Sequence, residues 1–279
     1  MSSPLAITII GAGNLGKSLI GGLLDAGLTG RENLRATVAP DEDPSEVAER
    51  FGVRCTAGGN LEAVRGADVI IIAVKPPYVG PVAAEIRGGL SDAQMIISFA
   101  AAVPIALIEN ALGKPMPVFR AMPNIAMTVR ESATALCANT QVNAGQRKLA
   151  EEIFRTVGTV CWVDESKMHA VTGLSGSGPA YVCLLIEGLI AGGLDAGLPH
   201  AVARELAQQT LLGAAKLCRD SGEHPAALRD KVTTPGGTTI AGLRAMESGG
   251  VRAALMAAVD AATKRSMELS SALGDSVKK

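Results

Sequence analysis

Residues 5–16 read Leu-Ala-Ile-Thr-Ile-Ile-Gly-Ala-Gly-Asn-Leu-Gly, and no other stretch limits the possible folds as strongly. A short apolar run, Leu5–Ile10, ends on Gly11, and a helical pattern then runs from Leu15 to Ala26 with Gly27 placed to stop it. A strand turning through glycines into a helix opens a βαβ unit, and the next segments continue it. Leu34–Ala39 reads as a second strand, and Asp43-Pro44 starts a helix to Phe51 with proline at its favoured first position. Val69–Val74 is apolar on both faces, as a central parallel strand must be. Met95–Ser98 and Pro117–Ala121 follow, separated by a helix over Ile105–Leu112. Ser132–Cys137 and Val160–Val163 are the last strands, with a helix over Ala144–Arg155 between them. This alternation predicts an α/β fold with a mainly parallel, doubly wound sheet.

After Val163 the strand signals stop. Helices are expected over Ser166–Leu174, Pro179–Ala196, Pro199–Asp220, Pro225–Lys231, Thr238–Glu247 and Val251–Leu273. The chain therefore divides near residue 164, into an α/β domain over 1–164 and an all-helical domain over 165–279. The length of 279 residues suits two domains of roughly 150 each. From Glu165 onward Tyr181 is the sole aromatic, so the helical core must come from small and aliphatic side chains. So much amphipathic helix predicts a homo-oligomer, dimer or larger, in which apolar faces are covered by other copies.

The charge balance, 26 Lys+Arg against 27 Asp+Glu, offers no basic patch for nucleic acid or an anionic membrane. The longest strongly apolar run, Val69–Val74, is far below the ~20 residues of a bilayer span. The first residues lack a basic region followed by an apolar stretch, so no secretory signal is read there. Five cysteines, an odd number with no C-x-x-C pair, argue against a disulfide framework or a zinc site and for a reducing, cytoplasmic setting.

Gly11, Gly13 and Gly16 fit G-x-G-x-x-G, while Gly11, Gly16, Lys17 and Ser18 also fit the P-loop pattern G-x-x-x-x-G-K-[ST]. Both hold phosphate on helix N-terminal N–H groups. A P-loop NTPase needs a second strand ending in a carboxylate for Mg²⁺, and the best buried strand here ends Ala73-Val74-Lys75-Pro76. The dinucleotide pattern also explains Gly13, where backbone must approach a pyrophosphate closely. A Rossmann-like domain binding NADPH or NADH through Gly11, Gly13, Asn14, Leu15 and Gly16 is therefore the expectation. The end of the second strand, Ala39-Pro40-Asp41-Glu42-Asp43, carries no basic residue; alone it leans toward NAD, and these carboxylates read equally as helix N-terminal charges.

The helical half carries two loops too specific for connectors: Thr172-Gly173-Leu174-Ser175-Gly176-Ser177-Gly178-Pro179-Ala180-Tyr181 and Val232-Thr233-Thr234-Pro235-Gly236-Gly237-Thr238-Thr239. In the second, free N–H groups of Gly237, Thr238 and Thr239 would cradle a carboxylate. An ordinary helix start capped by Thr238 is the equally weighted alternative. Neither Ser175 nor Ser177 sits in G-x-S-x-G, so no nucleophile elbow is present.

With these two loops, the glycine loop, Ala73-Val74-Lys75-Pro76 and Met122-Pro123-Asn124 in this order, the chain resembles the pyrroline-5-carboxylate reductase family over its whole length. The resemblance implies reduction of a cyclic imine, 1-pyrroline-5-carboxylate, to L-proline by NADPH or NADH, the last step of proline biosynthesis. It implies that Ala73, Val74, Lys75 and Pro76 line the cofactor near the nicotinamide ribose, that Asn60 contacts the adenosine side, and that Asn124 lies near the reacting ring. It places the substrate carboxylate on Thr234, Gly236, Gly237, Thr238 and Thr239, and aims the Thr172 hydroxyl at the imine nitrogen as a donor. It further implies an active site built between interlocked subunits. One departure stands out: the family's Met-Pro-Asn-Thr-Pro is here Met122-Pro123-Asn124-Ile125-Ala126.

The rival readings are a reductase of a related cyclic imine or of a hydroxy acid and, from another class, a nucleotide-dependent switch using Lys17 and Ser18. The similar β-hydroxyacid family carries Gly-x-Gly-x-x-x-Lys on a helix, and the lysine position counted from Gly176 and Gly178 is Val182 here. His169 reads as an early helical residue, His200 and His224 as surface or capping residues, and Cys183 and Cys218 as core helix positions.

Overall fold

The structure, a computed structural model, describes residues 4–277. The reading of the first residues as leaderless falls partly on residues 1–3, which lie outside that range. Eight strands are seen among the described residues: β1 (Ile7–Ile10), β2 (Leu34–Val38), β3 (Arg54–Ala57), β4 (Val69–Ile72), β5 (Met95–Ser98), β6 (Val118–Met122), β7 (Ser132–Ala138) and β8 (Gly158–Trp162). They form one sheet in the order β3-β2-β1-β4-β5-β6-β7-β8. Every neighbouring pair is parallel except β6 and β7.

Helices α1 (Asn14–Asp25), α2 (Ser45–Phe51), α3 (Asn60–Ala63), α4 (Pro76–Ile86), α5 (Ile105–Leu112) and α6 (Ala144–Arg155) cover the two faces. Alternation along the strands splits the core. Ile7, Ile9, Val69 and Ile71 join one cluster with Leu19, Leu23, Ile153 and Phe154. Ile10, Ile70 and Ile72 join the other with Val79, Ala83, Ile108 and Leu112. All four β4 residues are fully buried, which is why that run carries no polar side chain.

The predicted strands fall within two residues of those observed, while β3, α3 and α4 were not anticipated. Helix α4 tolerates its prolines for local reasons. Pro76 takes the first turn, where its missing N–H is idle, and Pro81 faces outward while Val79, Val82, Ala83 and Ile86 bury the inner stripe. Pro44 precedes α2 as its N-cap instead of opening it, and Asp43 accepts the Ser45 N–H at 2.9 Å, so this carboxylate is a helix-start charge.

Beyond Trp162 the described residues contain no strand. A 3-10 turn (Glu165–Lys167), α7 (Met168–Val171) and a π-helical turn (Thr172–Gly176) replace the single predicted helix over Ser166–Leu174. Then come α8 (Gly178–Asp195), α9 (His200–Ser221), α10 (Pro225–Lys231), α11 (Thr238–Ser248) and α12 (Val251–Val277). Two compact units result, one running to Ser177 and resuming at Ala261, the other Gly178–Asp260.

In the first unit Met168 is fully buried against the sheet's second core cluster, with Val171 and Leu273 beside it. Arg120 on β6 is 2% exposed and its Nη1 lies 3.4 Å from Glu165 Oε1. The same Glu165 oxygen accepts the Ile105 N–H at the start of α5 at 2.7 Å. Burial lowers the Arg120 pKa, and Glu165 opposes that shift. Glu165→Ala is expected to strand a buried guanidinium and an unpaired helix N–H. The result is a loss of about 3 kcal/mol, seen as a lower urea midpoint at unchanged slope, with Glu165→Gln milder because it keeps the acceptor. Burial pushes the Cys137 thiol up to about 12, leaving it inert.

In the second unit α8 and α9 pack closely because Gly193 faces Ala203, whose Cβ would stand 3.0 Å from an added one. Much apolar surface nevertheless stays outside. Val182, Leu184 and Leu189 on α8 and Leu206, Leu212 and Leu217 on α9 are exposed. Cys183 is exposed and Cys218 half-buried, so neither is the core position expected for it. Leu255, Met256, Met267 and Leu269 of α12 are also exposed, so their spacing does not serve packing within one chain. The helical run Glu165–Asp195 is long and apolar enough to cross a bilayer by length and composition alone, but 3-10 and π-helical turns interrupt it.

Candidate active site

The chain's parallel strands reverse their winding between β1 and β4, and in such sheets ligands bind at the carboxyl ends of the strands there. Residues expected at a cofactor meet at that place. Gly11 and Ala12 donate their N–H groups to Thr37 O at 3.0 and 2.8 Å, and Ala73 N donates to Ile10 O at 2.7 Å. Gly11 has φ +94°, and a Cβ on it would meet Val74 Cγ1 at 2.8 Å and the Ala73 carbonyl at 3.0 Å. A Cβ on Gly16 would lie 2.5 Å from Gly11 O. These two glycines are required by the protein itself.

Gly13 differs. Its φ of −71° suits any residue and nothing in the protein lies within 4 Å of where its Cβ would be. It is the N-cap of α1, a helix with no side-chain cap and no acidic residue in its first turn. The first N–H groups of α1, on Asn14, Leu15 and Gly16, are thus available to an anion. The residues present fit a dinucleotide pyrophosphate. Lys17 and Ser18, by contrast, are engaged within the protein: Lys17 Nζ pairs with Glu46 at 2.6 Å and Ser18 Oγ donates to Asn14 O at 2.7 Å. The P-loop alternative needs both free.

Lys75 is exposed at the N-cap of α4, with Pro76 as first helical residue. Asn60 sits beyond β3, accepting from Thr37 Oγ1 at 2.7 Å and donating to Glu85 at 2.9 Å. Asn124 follows β6 and is 9% exposed. Its Nδ2 donates to Ser175 O at 3.0 Å and its Oδ1 accepts from Ala126 N at 3.1 Å. Ile125, where the family's threonine is replaced, is 49% exposed. Thr172 opens the π-helical turn, and its Oγ1 donates to Met168 O at 2.9 Å. His169 Nδ1 lies 2.9 Å from Ser266 Oγ. Burial, and then Arg120, hold its pKa below the usual value, and Glu165 opposes them. His224 caps α10, as expected, by accepting the Ala226 N–H at 3.2 Å.

In the second unit the Pro-Gly-Gly turn leads into α11. Gly236 has φ +66°, and Gly237 N donates to Thr234 O at 3.1 Å. A Cβ on Gly237 would collide with Thr234 Oγ1. Gly237, not Thr238, is the N-cap, and no side chain caps this eleven-residue helix. The capped-start alternative therefore fails, and the first N–H groups of α11 remain for a ligand. Nothing local in the Met122-Pro123-Asn124 motif signals that Asn124 bonds Ser132 and Ser175 or that Met122 presses on Gly176.

A family model described as pyrroline-5-carboxylate reductase dimerisation matches residues 165–269, and one described as NADP oxidoreductase, coenzyme F420-dependent, matches residues 6–102. The chain is 41% identical to the pyrroline-5-carboxylate reductase of Methanosarcina acetivorans, over 94% of this chain and 97% of that one. The solved pyrroline-5-carboxylate reductase from Coxiella burnetii superposes with a TM-score of 0.90 at 38% identity, over 96% and 99% of the two chains. Pyrroline carboxylate reductase from Plasmodium falciparum, solved with NADP bound, gives 0.85 at 30% identity, over 95% and 98%.

Sheet, glycine loop and helical half together define a nicotinamide-dinucleotide-dependent oxidoreductase with a helical oligomerisation domain. The exposed apolar residues of α8 and α9 lie inside the matched dimerisation segment, which implies a homo-oligomer. The chain belongs to the pyrroline-5-carboxylate reductase family.

Proposed function

We propose that this protein reduces 1-pyrroline-5-carboxylate to L-proline, the last step of proline biosynthesis, with NADPH or NADH. The observation that carries the reading is 41% identity over 94% of the chain, which takes in both specific loops of the helical half. Residues 1–164 hold the cofactor, and residues 165–279 supply the substrate turn and the contacts of a homodimer or larger assembly. Five unpaired cysteines support a cytoplasmic setting.

When bound, the reduced nicotinamide supplies a hydride. The chain's residues position the partners. Gly11, Gly13, Asn14, Leu15 and Gly16 would hold the pyrophosphate, Asn60 the adenosine side, and Ala73, Val74, Lys75 and Pro76 the nicotinamide ribose, with Asn124 near the reacting ring. Thr234, Gly236, Gly237, Thr238 and Thr239 hold the substrate carboxylate on backbone N–H groups and hydroxyls. The hydride adds to the imine carbon and the C=N π pair moves onto nitrogen. Thr172 was expected to donate to that nitrogen, but its proton is engaged by Met168 O. It therefore serves the protonated imine, the better hydride acceptor, by accepting the N–H that the substrate itself carries.

The test is spectroscopic. Adding pyrroline-5-carboxylate to enzyme and NADPH, or NADH, is expected to consume the reduced cofactor with one proline formed per cofactor oxidised. Each cofactor should raise the melting temperature, whereas ATP·Mg²⁺ should not. No oxidation of either cofactor would remove the reading.

A further inference from the structure

We propose that Asn124 is a positioning residue whose side-chain amide locks the π-helical turn Thr172–Gly176, and with it the Thr172 hydroxyl, to the end of β6. The inference rests on the reading of Thr172 as the group that meets the substrate nitrogen. It begins with an accounting of backbone carbonyls. In a continuous α-helix Ser175 O would accept from residue 179, but Pro179 has no N–H. Asn124 Nδ2 supplies the missing donor at 3.0 Å, across 51 residues of sequence. The turn has the wide register expected there, with Ser177 N bonded to Thr172 O at 2.9 Å.

Asn124 is itself fixed from three sides. Its N–H donates to Ser132 Oγ at 3.1 Å, which lies 3.1 Å from Thr134 Oγ1 on β7. Its Oδ1 caps the 3-10 turn Ile125–Val129 through Ala126 N. It is buried, as are Ser132 and Thr134. A second contact grips the same turn: a Cβ on Gly176 would stand 2.5 Å from Met122 Cε, so this glycine lets the β6 side chain press on the backbone. The Met-Pro-Asn and Ser-Gly-Ser-Gly-Pro motifs are thereby two halves of one device. One N–H and one lone pair of the Asn124 amide are left for the ring side, so a direct contact and the clamp make different predictions.

The experiment uses Asn124→Ala, and Asn124→Ser as a variant that keeps an acceptor for the Ala126 N–H should the first fail to fold. Amide hydrogen exchange at Ser177 is expected to rise about tenfold, with β4 amides unchanged. kcat is expected to fall about tenfold, and the loss should vanish in a Thr172→Val background, because the effect runs through Thr172. Unchanged Ser177 exchange in a folded variant overturns the clamp, as does a tenfold loss that persists in the Thr172→Val background. If Thr172→Val is itself fully active, the catalytic reading of Thr172 falls, and the Ser177 exchange alone decides the clamp.

Discussion

Gly13→Val folds with its melting temperature changed by no more than about 3 °C, and binds NADPH about 100-fold more weakly. The two halves of this expected result have separate causes. Nothing in the protein lies within 4 Å of an added Cβ, and φ −71° is open to valine, so the folded chain does not object. In the proposed site a pyrophosphate approaches the N-terminus of α1 beside Gly13, and an isopropyl group there would hold it off. Gly16→Val gives the opposite pattern, a destabilised protein, because its Cβ meets Gly11 O at 2.5 Å. Thermal melts with a fluorescence titration of NADPH check both. A Gly13→Val protein binding NADPH normally would show that the loop is not the pyrophosphate cradle.

The second large effect is at Thr172. Thr172→Val keeps the shape and removes the oxygen, and kcat/KM for the imine is expected to fall about 100-fold with cofactor affinity unchanged. Its pH dependence carries further information. In the proposed mechanism the proton on the reacting nitrogen is brought by the substrate, because Thr172 Oγ1 already donates to Met168 O. kcat/KM therefore declines as rising pH deprotonates the imine, and the midpoint of that decline is the same in wild type and Thr172→Val. A midpoint that moves in the variant would mean that a protein group supplies the proton.

The parts of this molecule that could be read from sequence are those whose physics is local. β4 announces itself because burial on both faces leaves no room for a polar residue, and the glycine loop because a tight turn and a close approach each demand glycine. β3 gives no such signal: Arg54-Cys55-Thr56-Ala57 is an edge strand with exposed ends. α4 hides behind Pro76, Pro77 and Pro81, which read as breakers until two are seen at the helix start and one on the outer face. The exposed Cys183 was misplaced because an apolar helix face looks the same whether its partner is the same chain or another copy. In the site, the anion cradles were legible as glycines before helices. The Asn124–Ser175 bond was not, since it joins residues 51 apart through a carbonyl that Pro179 orphans. That Gly237 and not Thr238 caps α11 also needed backbone angles.

The outward-facing leucines of α8 and α9 tie the fate of each polypeptide to its abundance. Where a second copy covers that surface, as the matched dimerisation segment implies, the free energy holding these helices in place includes a mass-action component.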